Sequence, residues 1–185
     1  MTGRPPPRKP PPRRPTPTSL ETAGLHYLAR YAASAEQVRR VLARRVDRAA
    51  RAHPDLDREA AAGWIAALVD RWRAAGLLDD ATFAEARVRS LRRRGASGRR
   101  IRDALAAKGV DRDTIDAAVA GEEGAADASG EIEAARRLAK RRRLGPFRPA
   151  GDRAENRMRD LAALARAGFA RDVAVRVVDG EAEEG

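Results

Sequence analysis

Apolar residues recur three and four apart along most of the chain, and glycine, proline or a short polar side chain interrupts each run. The first helix is expected from Thr18, with Glu21 completing a capping box and Leu25, Leu28, Ala29 and Ala32 inward. A second starts at Ser34, with Gln37 as box partner and Val38, Val41 and Leu42 on one face. Arg39, Arg40, Arg44, Arg48 and Arg51 fall mostly outside that stripe, and His53-Pro54 ends the helix. The third spans about residues 58–75, with Trp64, Ile65, Leu68, Val69 and Trp72 as its apolar face and Gly76 as its stop.

The plan then repeats. Asp79 or Asp80 caps a helix carrying Phe83, Ala84, Val88 and Leu91, closed by Gly95. Ser97 caps the next, with Ile101, Ala104 and Leu105 inside, and Gly109 ends it. Asp111 or Asp113 opens a short helix burying Ile115, Ala118 and Val119. Residues 121–130 read as a linker and 145–152 as a loop. Between them Ile132, Ala135, Leu138 and Ala139 mark a helix; after the loop, Met158, Leu161, Ala162 and Ala165 mark another, stopped by Gly168. Phe169 is expected to plug that joint, and Val173, Val177 and Val178 to line the last helix.

Register supports copies of one unit. Ser34, Val38, Arg39, Leu42 and Ala43 match Ser97, Ile101, Arg102, Leu105 and Ala106 at an offset of 63. Leu105, Gly109, Ala118 and Val119 match Leu164, Gly168, Val177 and Val178 at an offset of 59. The expected organisation is a mobile Pro/Arg-rich tail (1–18), three helical repeats (19–79, 80–125 and 126–178) and an acidic tail (179–185). The tail holds eight of the eleven prolines in residues 1–17, and its PxxP spacing could dock an aromatic groove; a solvated basic tail is the simpler expectation.

Composition narrows this to an all-α protein with a thin core: 43% of residues are hydrophobic but only 4% aromatic. Net charge is +11; +5 in residues 1–18 and −4 in 179–185 leave +10 for 19–178. So basic a body points to a polyanion or an acidic protein surface as partner. Arginine scattered over solvated faces is the plainer alternative. With no cysteine, disulfides and thiolate metal sites are excluded. There is neither an apolar run long enough to span a membrane nor an N-terminal apolar signal region, so a cytoplasmic location without membrane partner is expected.

Charge is densest from Arg87 to Arg112, where ten basic residues meet only Asp103 and Asp111. Arg92, Arg93 and Arg94 precede one inter-helix turn, and Arg99 and Arg100 follow it. Guanidinium forks suit phosphate and carboxylate. Arg39, Arg89, Arg102 and Lys108 extend the expected basic face. So do Lys140 and Arg141, from a second cluster of six cations within residues 136–143. Residues 97–119 have the outline of a helix-turn-helix, but the second helix opens with Asp111, Asp113 and Asp116, which repel phosphate, so it reads as a structural unit. Asp79-Asp80 read as caps, His26 and His53 as isolated side chains, and GASG (95–98) lacks the lysine of a phosphate loop. No catalytic constellation and no cofactor are expected.

Over about residues 23–178 the chain resembles the RecX regulatory proteins. The resemblance rests on Gly76-Leu77-Leu78-Asp79-Asp80, Phe83-Ala84, Arg89-Ser90, Gly95, Ile101-Arg102, Leu105, Lys108-Gly109-Val110 and Ile115, with Gly168-Phe169 and Asp172-Val173 near the end. It implies three tandem three-helix units in an elongated curved rod. It also implies a monomeric, non-enzymatic modulator that lodges on the RecA filament and the single-stranded or duplex DNA within it. Such a modulator restrains ATP hydrolysis, strand exchange and the SOS response. The chain departs from the family at Leu91, where arginine is usual, at Ala96-Ser97 after Gly95, and at Tyr31 and Val46 in the first unit. A general nucleic-acid-binding helical protein without a recombinase partner is the alternative.

Overall fold

The computed structural model describes residues 11–124 and 129–181; the expectations for residues 1–10, for 125–128 within the linker and for 182–185 of the acidic tail lie outside them. Among the described residues the chain is all α-helix with two 3-10 turns and no strand. It divides into two compact units, Met1–Asp79 and Asp80–Gly185. No helix among the described residues is long and apolar enough to cross a membrane.

The first unit packs α1 (Pro17–Leu28), α2 (Ala35–Ala50) and α3 (Arg58–Ala74) against one another. Ser34 caps α2 as expected, its Oγ accepting from the Gln37 N–H at 3.2 Å. The cap of α1 is Thr16, boxed with Ser19, two residues earlier than the Thr18–Glu21 reading. Its inward face also differs. Leu20 and Gly24 are buried, with Ala23, Tyr27 and Leu28 beside them, whereas Leu25 is 43% exposed and Ala29 and Ala32 lie past the helix end. The stripe runs through Gly24 because the Trp72 ring fills the place of a side chain there: a Cβ on Gly24 would lie 2.4 Å from that ring. Trp64, expected inside, is 36% exposed, and Ala61 takes the inward place.

The segment just before α1 is not free of the fold. Pro15 is buried, the Pro12 carbonyl lies 2.9 Å from His53 Nε2, and Arg14 pairs with Asp55. The hydrogen bond from Arg14 holds the Asp55 carboxyl below its ordinary range.

The second unit contains two further three-helix bundles, each with its own core. In the first of these, α4 (Asp80–Arg93), α5 (Gly98–Ala106) and α6 (Arg112–Gly124) enclose Val88, Ile101, Leu105 and Val119, all fully buried. In the other, α7 (Ser129–Arg142), α8 (Arg153–Arg166) and α9 (Arg171–Val178) enclose Ala135, Leu138, Leu164, Phe169 and Val177. Each fully buried Leu or Val is worth roughly 1.5–3 kcal/mol over leaving it in water. The repeat register holds in the packing: Ser34, Val38 and Leu42 are as fully buried as Ser97, Ile101 and Leu105.

The expected linker is narrower than residues 121–130, since α6 continues to Gly124 and α7 begins at Ser129. The expected loop 145–152 holds the 3-10 turns Gly145–Phe147 and Ala150–Asp152. Helix α8 keeps Leu161 against the core, as expected, but the rest of its inward face is shifted. Met158 is 71% exposed, and Asp160 is fully buried beside Leu164. Asp160 accepts from Arg148 Nε (2.7 Å) and Nη2 (2.8 Å) and from the Gly145 N–H (2.8 Å), tying the turn to the helix.

Candidate functional site

The most basic stretch folds as the corner between α4 and α5, and the third bundle holds that corner in place. Gly95 ends α4 with φ +71°, a conformation costly for any side-chain-bearing residue. A Cβ there would also lie 2.8 Å from the Ala134 carbonyl oxygen and 2.9 Å from the Leu138 nitrogen of α7. At the start of α7, Glu131 pairs with Arg92 and accepts from the Gly98 N–H at 3.1 and 3.2 Å, placing its carboxylate at the N-terminus of α5. Ser97 caps α5 and donates to the Ala167 carbonyl at 2.7 Å. From α7, Arg137 Nη1 donates to the Arg92 carbonyl at 3.3 Å and Arg141 Nη1 to the Arg94 carbonyl at 2.7 Å. Cations thus sit on the carbonyl end of α4, where the helix dipole favours them.

This corrects one expectation. Arg92 is only 5% exposed and its guanidinium is committed to Glu131 and the Ala96 carbonyl, so it is a fitting of the corner and not part of an exposed basic face. Arg93, Arg94, Arg99 and Arg100 are exposed around the corner, and none pairs with an acid among the described residues. The stem of Arg99 lies over Gly168 at the α8–α9 turn. Arg141 is exposed and drawn to the corner through Arg94; Lys140 is exposed beside it in sequence.

The other expected site residues are placed elsewhere. Arg89 lies 3.7 Å from Glu85, one turn back on α4. Arg102 donates to Asp116 at 3.0 Å, holding that carboxyl below its usual range, with Arg112 at 3.6 Å. Lys108 is half-buried at the α5–α6 turn. Arg39 belongs to the first unit, 3.5 Å from Asp70 and 3.9 Å from Glu36.

A second basic feature was not singled out from the sequence. In the first unit a groove of about 300 Å³ opens between α1 and α2. Tyr27 and Tyr31 line it on one side, ring centroids 5.1 Å apart and tilted by 40°. Arg30, Arg44, Arg45 and Arg48 line the rest, over a floor of Ala23, Val41 and Leu42. The available signal was two tyrosines four apart bracketing Arg30, opposite arginines that read as solvated.

Comparison with known proteins follows the same lines. Residues 79–119 match the family model described as RecX, second three-helix domain. The chain is 47% identical over 166 residues to Regulatory protein RecX of Myxococcus xanthus (strain DK1622), covering 88% of this chain and 85% of that one. To Regulatory protein RecX of Thermobifida fusca (strain YX) it is 41% identical over 121 residues, 64% of this chain and 62% of that one. The crystal structure of RecX from Lactobacillus salivarius shares the fold with a TM-score of 0.64 at 18% identity, covering 88% of this chain and 94% of that one. A crystal structure of regulatory protein RecX gives 0.63 at 20% identity, covering 89% and 72%.

Proposed function

This chain belongs to the RecX family of regulatory proteins, and from that premise we propose that it binds the RecA–DNA filament and restrains its ATP hydrolysis and strand exchange. It does so in the cytoplasm, as a monomer and without catalysis of its own, by offering fixed cations to a polyanionic or acidic surface. The observation that carries this reading is the α4–α5 corner, where Arg93, Arg94, Arg99 and Arg100 are exposed without an acidic partner among the described residues. Like charges held this close repel one another, and an external anion relieves that repulsion. The corner's backbone is held by Glu131, Arg137 and Arg141, so little backbone entropy is lost when an anion binds. Lys140 and Arg141 extend the surface; Arg39, Arg89, Arg102 and Lys108 contribute charge at its periphery or in the first unit.

The test is RecA-dependent ATPase and filament imaging with the purified protein added. Combined reversal Arg93→Glu, Arg94→Glu, Arg99→Glu and Arg100→Glu is expected to abolish inhibition while helicity stays intact. Inhibition unchanged by that variant removes the site assignment. No inhibition by the unmodified protein removes the functional reading.

A further inference from the structure

We propose that the groove between α1 and α2 of the first unit is a single-stranded nucleic-acid site, with Tyr31 as a base-stacking platform and Arg30, Arg44, Arg45 and Arg48 as phosphate clamps. The assignment rests on the reading above in that it gives the protein a direct nucleic-acid contact, apart from the α4–α5 corner.

Tyr31 is 56% exposed, a large aromatic surface left in water just past the end of α1. It is not adrift: its ring leans on Tyr27, which packs against the core of the first unit. The platform is therefore held before any ligand arrives. Facing it, α2 supplies Arg44, Arg45 and Arg48, all exposed. Among the described residues no acid lines the groove or pairs with these arginines. The nearby acids of α2 are engaged elsewhere, Glu36 with Arg40 at 2.9 Å and Asp47 with Arg58 at 3.6 Å.

The chemistry favours one class of ligand. An exposed ring beside unpaired guanidiniums matches an unstacked base followed by its backbone phosphates. In a duplex, both faces of each base are already stacked on neighbours, so a platform of this kind adds nothing. An acidic peptide would satisfy the arginines but leave the ring without purpose. Stacking tolerates any base, so binding is expected to be insensitive to sequence.

The experiment is fluorescence anisotropy with the full chain and no recombinase. The probes are a labelled oligothymidylate, a duplex hairpin of equal charge, and a glutamate-rich peptide. The expected order is oligothymidylate tightest. Tyr31→Ala should weaken oligothymidylate binding about tenfold, a typical stacking loss, while Tyr31→Phe keeps the ring and binds as the parent does. Combined Arg44→Glu, Arg45→Glu and Arg48→Glu should abolish it. Circular dichroism melts confirm that these exposed substitutions leave the fold in place. Oligothymidylate affinity unaltered by Tyr31→Ala, or peptide bound as tightly as oligothymidylate, overturns the proposal. ATPase inhibition measured in parallel separates the two readings: a protein that inhibits RecA yet ignores oligothymidylate fails here alone.

Discussion

Asp160 shows how one charged side chain can misdirect a reading of α8. The apolar stripe through Met158, Leu161, Ala162 and Ala165 looks inward on paper, because no rule of periodicity gives a carboxylate the central place. The fold gives it that place because Asp160 gathers three donors, two from Arg148 and one from Gly145. The hydrogen bonds from Arg148 outweigh the opposing effect of burial and lower the pKa of its carboxyl. A carboxyl whose folded pKa lies below its unfolded one stabilises the protein above the unfolded value, ~3.9, and ceases to do so as pH falls through the folded one. Asp160→Ala should therefore cost roughly 3 kcal/mol near neutral pH, and less in acid. Urea melts at neutral and acidic pH test this; a loss that does not shrink in acid contradicts the assigned role.

At the scale of elements, the corner between α4 and α5 makes the sharpest claim. Gly95 combines a left-handed backbone with two α7 backbone atoms inside the reach of a Cβ. Gly95→Ala is expected to cost roughly 2–4 kcal/mol, combining left-handed strain with an overlap that only movement of α7 relieves. Hydrogen exchange should show faster opening at the start of α7, and unchanged protection there would refute the docking argument. The existence of this helix end was legible, since glycine after an apolar run is a stop signal. That the glycine also admits a second helix was not, because the contact spans some forty residues of sequence. The same holds for Gly24 on α1. It carries no apolar weight, so periodicity points one position on, to Leu25, while the Trp72 ring that replaces its side chain comes from α3. Ser34 and Ser97 were legible because a cap and its partner are three residues apart. The burial of Arg92 was not, because its partner Glu131 lies in the next repeat and the charge density around it looks uniform.

For the molecule as a whole, the +11 net charge favours an anionic partner without identifying it. Salt dependence separates the candidates. If arginines neutralise phosphates, the logarithm of the binding constant falls linearly with the logarithm of salt, by about 0.7 per contact on single strands and 0.9 on duplex. Arg100→Ala should then flatten the slope for filament binding by roughly one such increment. Contact with acidic protein side chains releases no condensed counterions and gives a shallower line. A titration of RecA inhibition against potassium chloride distinguishes these outcomes, and a flat dependence contradicts both.

The anchoring of the residues ahead of α1 bears on how the protein is best handled. Anyone trimming the proline-rich leader for crystallisation would be tempted to begin at Pro17, where the first helix starts. That cut deletes the strap in which the Pro12 carbonyl meets His53, Arg14 pairs with Asp55 and Pro15 is buried. The shortened fragment should melt at lower temperature than one beginning at Pro11, and the difference should shrink in acid as Asp55 loses its charge.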